Sequence, residues 1–236
     1  MVRNRSSRAT NLRVTGIVVF LSVVLLTQTA GFARDLPVEI PYGSCDRLDG
    51  VIGTEWDGSL QKQITITYQR TSCSCSISHL PTQVYLQHDE ENLYVAMSIR
   101  TSYLRSSRET FRAFFFVDNG DHTLWHVGDN NIIIPADDGG QRETGLDYHY
   151  PAYSRTPIKR ATLDAQQDAT GAGKWNPSTT SFEFEFSIPL QSGDPMDVAF
   201  VTGQPATVVV GFDVVDRYGR SLYYGKSYSF SVFVGS

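Results

Sequence analysis

The chain has 236 residues, with 20 basic and 25 acidic side chains and a formal net charge of −5. That length allows one large domain or two small ones. The acidic balance argues against nucleic acid as a partner, and Cys73-Ser74-Cys75 is too tightly spaced for a zinc knuckle.

The N-terminus comes first. Arg3, Arg5, Arg8 and Arg13 form a basic stretch without an acid, and Gly16 to Leu26 is an apolar run of eleven residues. Thr27 to Ala33 is smaller and less apolar. This order predicts a secretory signal peptide over residues 1–33. A retained anchor is the alternative, and the only route to a membrane contact; the run falls short of the roughly 20 residues of a span. Without the leader, 20 less four leaves 16 basic residues against 25 acidic, a net charge of −9. Residues 34–236 are expected to form a single secreted or extracytoplasmic domain. In an oxidising compartment a disulfide is the natural fate of cysteines. Cys45 is expected to pair with Cys73 or Cys75, leaving one thiol for an intermolecular contact.

Next, Asp49-Gly50 and Asp57-Gly58 mark two turns. Between them, Val51, Ile52 and Trp56 are expected to anchor the segment to a core, with Trp56 covering its end. Strands are predicted at 63–68, 82–88, 92–100, 111–118, 123–127, 131–135, 157–163, 181–189, 206–217 and 222–234. Phe182-Glu183-Phe184-Glu185-Phe186 alternates with period two, placing phenylalanines on one face and glutamates on the other. The glutamates read as solvent-facing. Residues 164–180, rich in Ala, Gly, Gln, Asp and Ser, read as a long loop. No helix of length follows the leader. The pattern predicts an all-β chain: an antiparallel β-sandwich of jelly-roll or immunoglobulin-like two-sheet architecture.

Five segments in order carry a resemblance: "LDGVIGTEWDGS" (48–59), "VYLQHDEENLYVAMSI" (84–99), "FRAFFFVDNGD" (111–121), "FEFEFSIPLQSGD" (182–194) and "VVVGFDVVDR" (208–217). Together they resemble family 9 carbohydrate-binding modules and their wider relatives, the sugar- and haem-binding sandwiches of the DOMON group. The resemblance covers about residues 47–217. It implies a non-catalytic glycan-binding module in which calcium sits near the ligand site.

Candidate chemistry follows. Asp118, Asn119, Asp121 and Asp129 offer oxygen ligands close in sequence, suited to calcium; the rival reading is a plain Asn119-Gly120 hairpin turn. Asp137, Asp138 and Glu143 form a second acidic cluster. Sugars are held by flat aromatic rings with polar neighbours, and Trp125, Trp175, Tyr148, Tyr150 and Tyr153 are the candidate platforms. Arg142, Asp147 and Arg155 are the candidate polar contacts, and Trp125 has a core reading as its rival. Haem-binding members of the wider group use Met with His or Lys, which points to Met97 with His122, His126, His149 or Lys226, against the plainer reading of Met97 as core. No Gly-x-Ser-x-Gly or His-Glu-x-x-His is present, so no enzyme is expected. The alternatives to a glycan binder are a haem electron-transfer domain and a structural or adhesive surface protein.

Overall fold

The computed structural model describes residues 36–70, 77–101, 109–118, 130–136, 146–149, 162–194, 197–216, 218, 220–226 and 229–235. All lie in the unit formed by residues 35–236. Among the described residues thirteen strands run β1 Val38–Ile40, β2 Leu60–Arg70, β3 Ile77–His88, β4 Asn92–Arg100, β5 Glu109–Asp118, β6 Asn130–Pro135, β7 Leu146–His149, β8 Thr162–Leu163, β9 Thr170–Asn176, β10 Ser181–Pro189, β11 Ala206–Asp216, β12 Ser221–Lys226 and β13 Phe230–Val234. A 3₁₀ turn, Thr54–Trp56, lies between β1 and β2. Among the described residues no helix is long and apolar enough to cross a membrane.

The strands form one ladder in the order β8-β7-β6-β5-β11-β12-β2-β3-β4-β10-β9, folded into two facing layers. Phe111 of β5 stacks on Phe182 of β10 at 4.2 Å, and Phe115 meets Phe186 at 6.5 Å. The core follows from alternation. On β10, Phe182, Phe184, Phe186 and Ile188 lie beside Ile99, Met97, Val95 and Leu93 of β4. They pack against Phe111, Phe115 and Val117 of β5 and Val208, Val210, Phe212 and Val214 of β11. Each such side chain contributes about 1.5–3 kcal/mol on burial. Across β5 and β11, Arg112 and Asp213 form an ion pair, and the Ser221 hydroxyl donates to Asp213 at 2.6 Å.

The N-terminal segment stitches the layers together. β1 runs parallel to β13. Two residues later the chain reaches β3, where His88 N–H donates to Pro41 O at 3.1 Å and Gly43 N–H to His88 O at 2.8 Å.

Three sequence expectations change. Residues 164–180 are not simply a loop, because Thr170–Asn176 forms β9, antiparallel to β10. Its glycines hide it from propensity, yet they serve the packing: a Cβ on Gly173 would lie 2.5 Å from the Phe184 ring and 2.8 Å from Pro135 O. Tyr148, which lies between the predicted strands 131–135 and 157–163, has its backbone in β7, paired with Asn131 and Leu163. The stretch 222–234 is two strands, β12 paired with β2 and β13 with β1 and β11. The candidate strand 123–127 lies outside the described residues, and of 157–163 only Thr162 and Leu163 are described.

Candidate functional site

Residues 45–59 lie over the outer face of β4 and β10. Trp56 is 1% exposed and packs with Cys45, Tyr94, Ala96 and Tyr85. Glu185 holds this segment down: one oxygen accepts the N–H groups of Asp49 and Gly50, each at 2.7 Å, and the other accepts the Trp56 indole N–H at 3.0 Å. Glu183 accepts Ile52 N–H at 3.2 Å with one oxygen, and with the other the Asn176 amide, Thr179 hydroxyl and Ser181 hydroxyl at 2.9, 3.1 and 3.2 Å. Burial raises the Glu185 carboxyl above its ordinary range, opposed by the donors from Trp56 and Gly50. The two glutamates therefore do not face solvent, because a distant segment covers their side of β10. Both oxygens of Glu185 and one of Glu183 anchor that segment, and the other Glu183 oxygen is held by Asn176, Thr179 and Ser181, so every oxygen of the pair is hydrogen-bonded.

Cys45 carries a free, buried thiol in place of the expected disulfide, and it donates to Arg47 O at 3.2 Å. Burial, opposed by that hydrogen bond, pushes the thiol up to about 11. Cys73 and Cys75 themselves lie outside the described residues.

At the other end of the ladder sits an acidic centre. Asp147 of β7 pairs with Ile132 of β6 and shares its inward face, so its carboxylate is only 1% exposed. The segment Asp164–Asp168 docks on it. Asp164 N–H donates to Asp147 O at 2.9 Å. Gln167 accepts Asp147 N–H at 2.9 Å and donates to Asp147 O at 3.0 Å and Asp164 O at 2.8 Å. Gln166 then ties this segment to the loop after β10, donating to Asp168 at 3.0 Å and to Ser192 O at 3.4 Å. Asp197 N–H donates to Asp194 O at 3.2 Å within that loop.

The result is that Asp147, Asp168 and Asp197 each bring a carboxylate oxygen within 4.8 Å of the others. Asp164, 5% exposed, lies close enough to act on both Asp147 and Asp197. No backbone, amide or hydroxyl donor reaches either oxygen of Asp147, whose side-chain neighbour is the Asp168 carboxyl. Burial first, then the charges of Asp197 and Asp168, push Asp147 up to about 8. Burial, with the charges of Asp168 and Asp164, raises Asp197 to about 6 against the Ser192 hydroxyl. The donor set is all oxygen and all anionic, which fits a hard cation and not zinc or copper.

The sequence reading named Asp147 only as a sugar contact and missed Asp168 and Asp197. The available signal was the pair of short acidic strings "DAQQD" (164–168) and "DPMD" (194–197). Of the residues proposed for calcium, Asp118 ends β5, is 2% exposed and pairs with Thr207; Asn119, Asp121 and Asp129 lie outside the described residues. Of the platform residues, Trp175 is half-buried on β9, its ring against Phe182 at 4.9 Å in a T-shaped contact. Tyr148 is placed by its backbone alone, and Trp125, Arg142, Tyr150 and Tyr153 are not described. Met97 is fully buried in the core.

No family model and no curated protein matches the sequence. Solved structures do. A family 9 carbohydrate-binding module from Caldicellulosiruptor kristjanssonii in complex with cellotriose is similar at 14% identity and a TM-score of 0.53, over 85% of this chain and 94% of that one. A module of this family from the same organism in complex with glucose is similar at 14% identity and a TM-score of 0.53, over 85% and 96%. A protein of Bacteroides uniformis is similar at 10% identity and a TM-score of 0.52, over 84% and 98%. At these identities the likeness is one of architecture: the chain has the all-β sandwich fold of family 9 carbohydrate-binding modules.

Proposed function

We propose that this protein is an exported, non-catalytic carbohydrate-binding module whose ligands are β-linked gluco-oligosaccharides. The observation that carries this reading is the likeness, over nearly the whole of each chain, to modules captured with cellotriose and with glucose. Fold alone does not fix function. The engagement of Glu183 and Glu185 in anchoring residues 49–56 supports the non-catalytic part. Trp175 is the described candidate platform, standing on the edge strand of its layer. Trp125, Tyr148, Tyr150, Tyr153 and Arg142 are the further candidates. Export follows from the leader, with the mature chain starting near Arg34, as N-terminal sequencing of the secreted product would read.

The test is the melting temperature of the purified protein across glucose, cello-oligosaccharides and unrelated glycans. A ligand at 100 times its Kd stabilises the fold by about 2.7 kcal/mol. A shift with cellotriose that is absent with unrelated glycans is expected. No shift with any sugar of the panel would overturn the reading.

A further inference from the structure

We propose that the outward face of β2 and β3 is a second carbohydrate-contacting surface, an open floor for one side of a neutral polysaccharide chain. It rests on the glycan-binding reading above and adds a surface to it. The strand register places the residues together. On β2, Gln61, Gln63, Thr65, Thr67 and Gln69 all point outward and are exposed, between Ile64, Ile66 and Tyr68, which point to the core. Opposite the first four stand Tyr85, Gln83, Pro81 and His79 of β3. Ser98 of β4 lies beside Gln83, and Arg100, two residues on and so on the same side, is exposed. From Gln61 to Gln69 the floor runs eight residues, about 27 Å at roughly 3.4 Å per residue, which suits an extended oligomer more than a single sugar.

Charge decides what kind of partner fits. The chain carries 25 acidic residues against 20 basic, yet none of the floor residues is a carboxylate. The two carboxylates that β10 contributes to this side of the sheet, Glu183 and Glu185, lie under residues 49–56. That covering segment bounds the floor where Tyr85 meets Trp56, ring centroids 6.2 Å apart. Arg100 is the one fixed charge among these residues, too little to hold a polyanion or an acidic protein. None of the exposed large apolar side chains lies on β2 or β3, which argues against a lipid surface or an apolar copy–copy interface.

What remains is a surface of amides and hydroxyls. Each of these groups both donates and accepts, whereas an ammonium only donates and a carboxylate only accepts. A sugar hydroxyl also does both, so a neutral polyhydroxyl matches this floor without stripping water from a charge. Thr65 and Thr67 are β-branched and stiff, and Thr67 Oγ1 lies 3.3 Å from His79 Nδ1, so little side-chain freedom is lost when a ligand settles there. The floor is separate from the platform already named. Trp175 pairs with Phe182 and packs on it, which puts Trp175 on the core side of this layer.

The purified protein would be melted with cellotriose and, separately, partitioned onto suspended amorphous cellulose, with the fraction left in solution measured. Gln63→Glu with Gln69→Glu adds charge at constant shape. Thr65→Ala with Thr67→Ala removes two hydroxyls and leaves the floor neutral. Each pair should weaken partition onto cellulose at least about fivefold, the loss of roughly one net hydrogen bond. The melting temperature and its shift with cellotriose should stay at parent values. Gln191→Glu with Gln204→Glu, at exposed positions outside β2 and β3, should bind cellulose like the parent. A parent that shifts with cellotriose but does not partition, or partition unchanged in both floor pairs, would overturn this surface and leave the glycan reading standing. A parent that responds to neither cellotriose nor cellulose would remove both. A cellotriose shift that falls together with partition would overturn the second surface in favour of one shared site. Sedimentation of the parent as a dimer that the floor pairs dissociate would overturn it in favour of a second copy of the chain.

Discussion

Glu185→Gln tests the central packing feature of the fold. The carboxylate accepts three N–H donors, two on one oxygen at 2.7 Å and the Trp56 indole on the other at 3.0 Å, and its residue is fully buried. Glutamine keeps the shape but has one acceptor oxygen. In its better orientation that oxygen retains Asp49 and Gly50, and the new NH₂ group faces the indole N–H. One buried donor left unsatisfied costs about 1–3 kcal/mol, and the two surviving bonds lose charge assistance worth about 1 kcal/mol each. Relief from burying a charge, the first cause of the raised Glu185 pKa, returns part of this. The net expectation is a loss of about 2–3 kcal/mol. With a slope of about 2–3 kcal/mol/M, the urea midpoint followed by far-UV circular dichroism should fall by about 1 M at unchanged slope. Glu55→Gln is the control. Its carboxylate makes an exposed bond to Gly53 N–H, and it should stay within about 0.5 kcal/mol of the parent. A Glu185→Gln midpoint indistinguishable from that of Glu55→Gln would refute the buried anchor and restore the solvent-facing reading.

Two further perturbations follow from the same geometry. Gly173→Ala places a methyl 2.5 Å from the Phe184 ring and 2.8 Å from Pro135 O. It should cost about 1–3 kcal/mol by overpacking, read as a drop in melting temperature; an unchanged value would mean that β9 and β6 do not approach as described. In chelator, Asp147 and Asp197 titrate at about 8 and about 6 when folded, above their ordinary 3.8. The folded state then binds protons more tightly than the unfolded one, so the contribution of these two groups to stability is fully present below about 3.8 and is lost progressively as pH rises to about 6 for Asp197 and about 8 for Asp147. Melting temperatures from pH 5 to 9 in chelator should therefore fall with rising pH, and a rise over that range would contradict the burial of these carboxylates.

Much of the sandwich was legible because its signals are local. The β4 and β10 limits expected from alternation, 92–100 and 181–189, coincide with the strands, since period two directly reports one buried face. Trp56 was expected to cover a core end, and it packs on the small cluster beyond β4. The fate of the glutamates was not legible. Alternation states that Glu183 and Glu185 share a face, but the cover over that face comes from a segment 129 to 136 residues away in sequence. β9 was hidden for a related reason: Gly171 and Gly173 weaken any strand signal, and their use appears only when Phe184 and Pro135 close over them.

The acidic centre shows the same division more sharply. By themselves the residues determined an acidic, all-β chain with aspartates scattered through turns. Only the tertiary structure decided which aspartates meet, because Asp147, Asp168 and Asp197 come from a strand and two separate loops. It likewise decided that Cys45 carries a free thiol, buried in the cluster of Trp56, Tyr94 and Ala96. Short-range chemistry is written in neighbouring residues. Burial, charge repulsion and reach depend on distances through space, and those exist only once the ladder has folded over on itself.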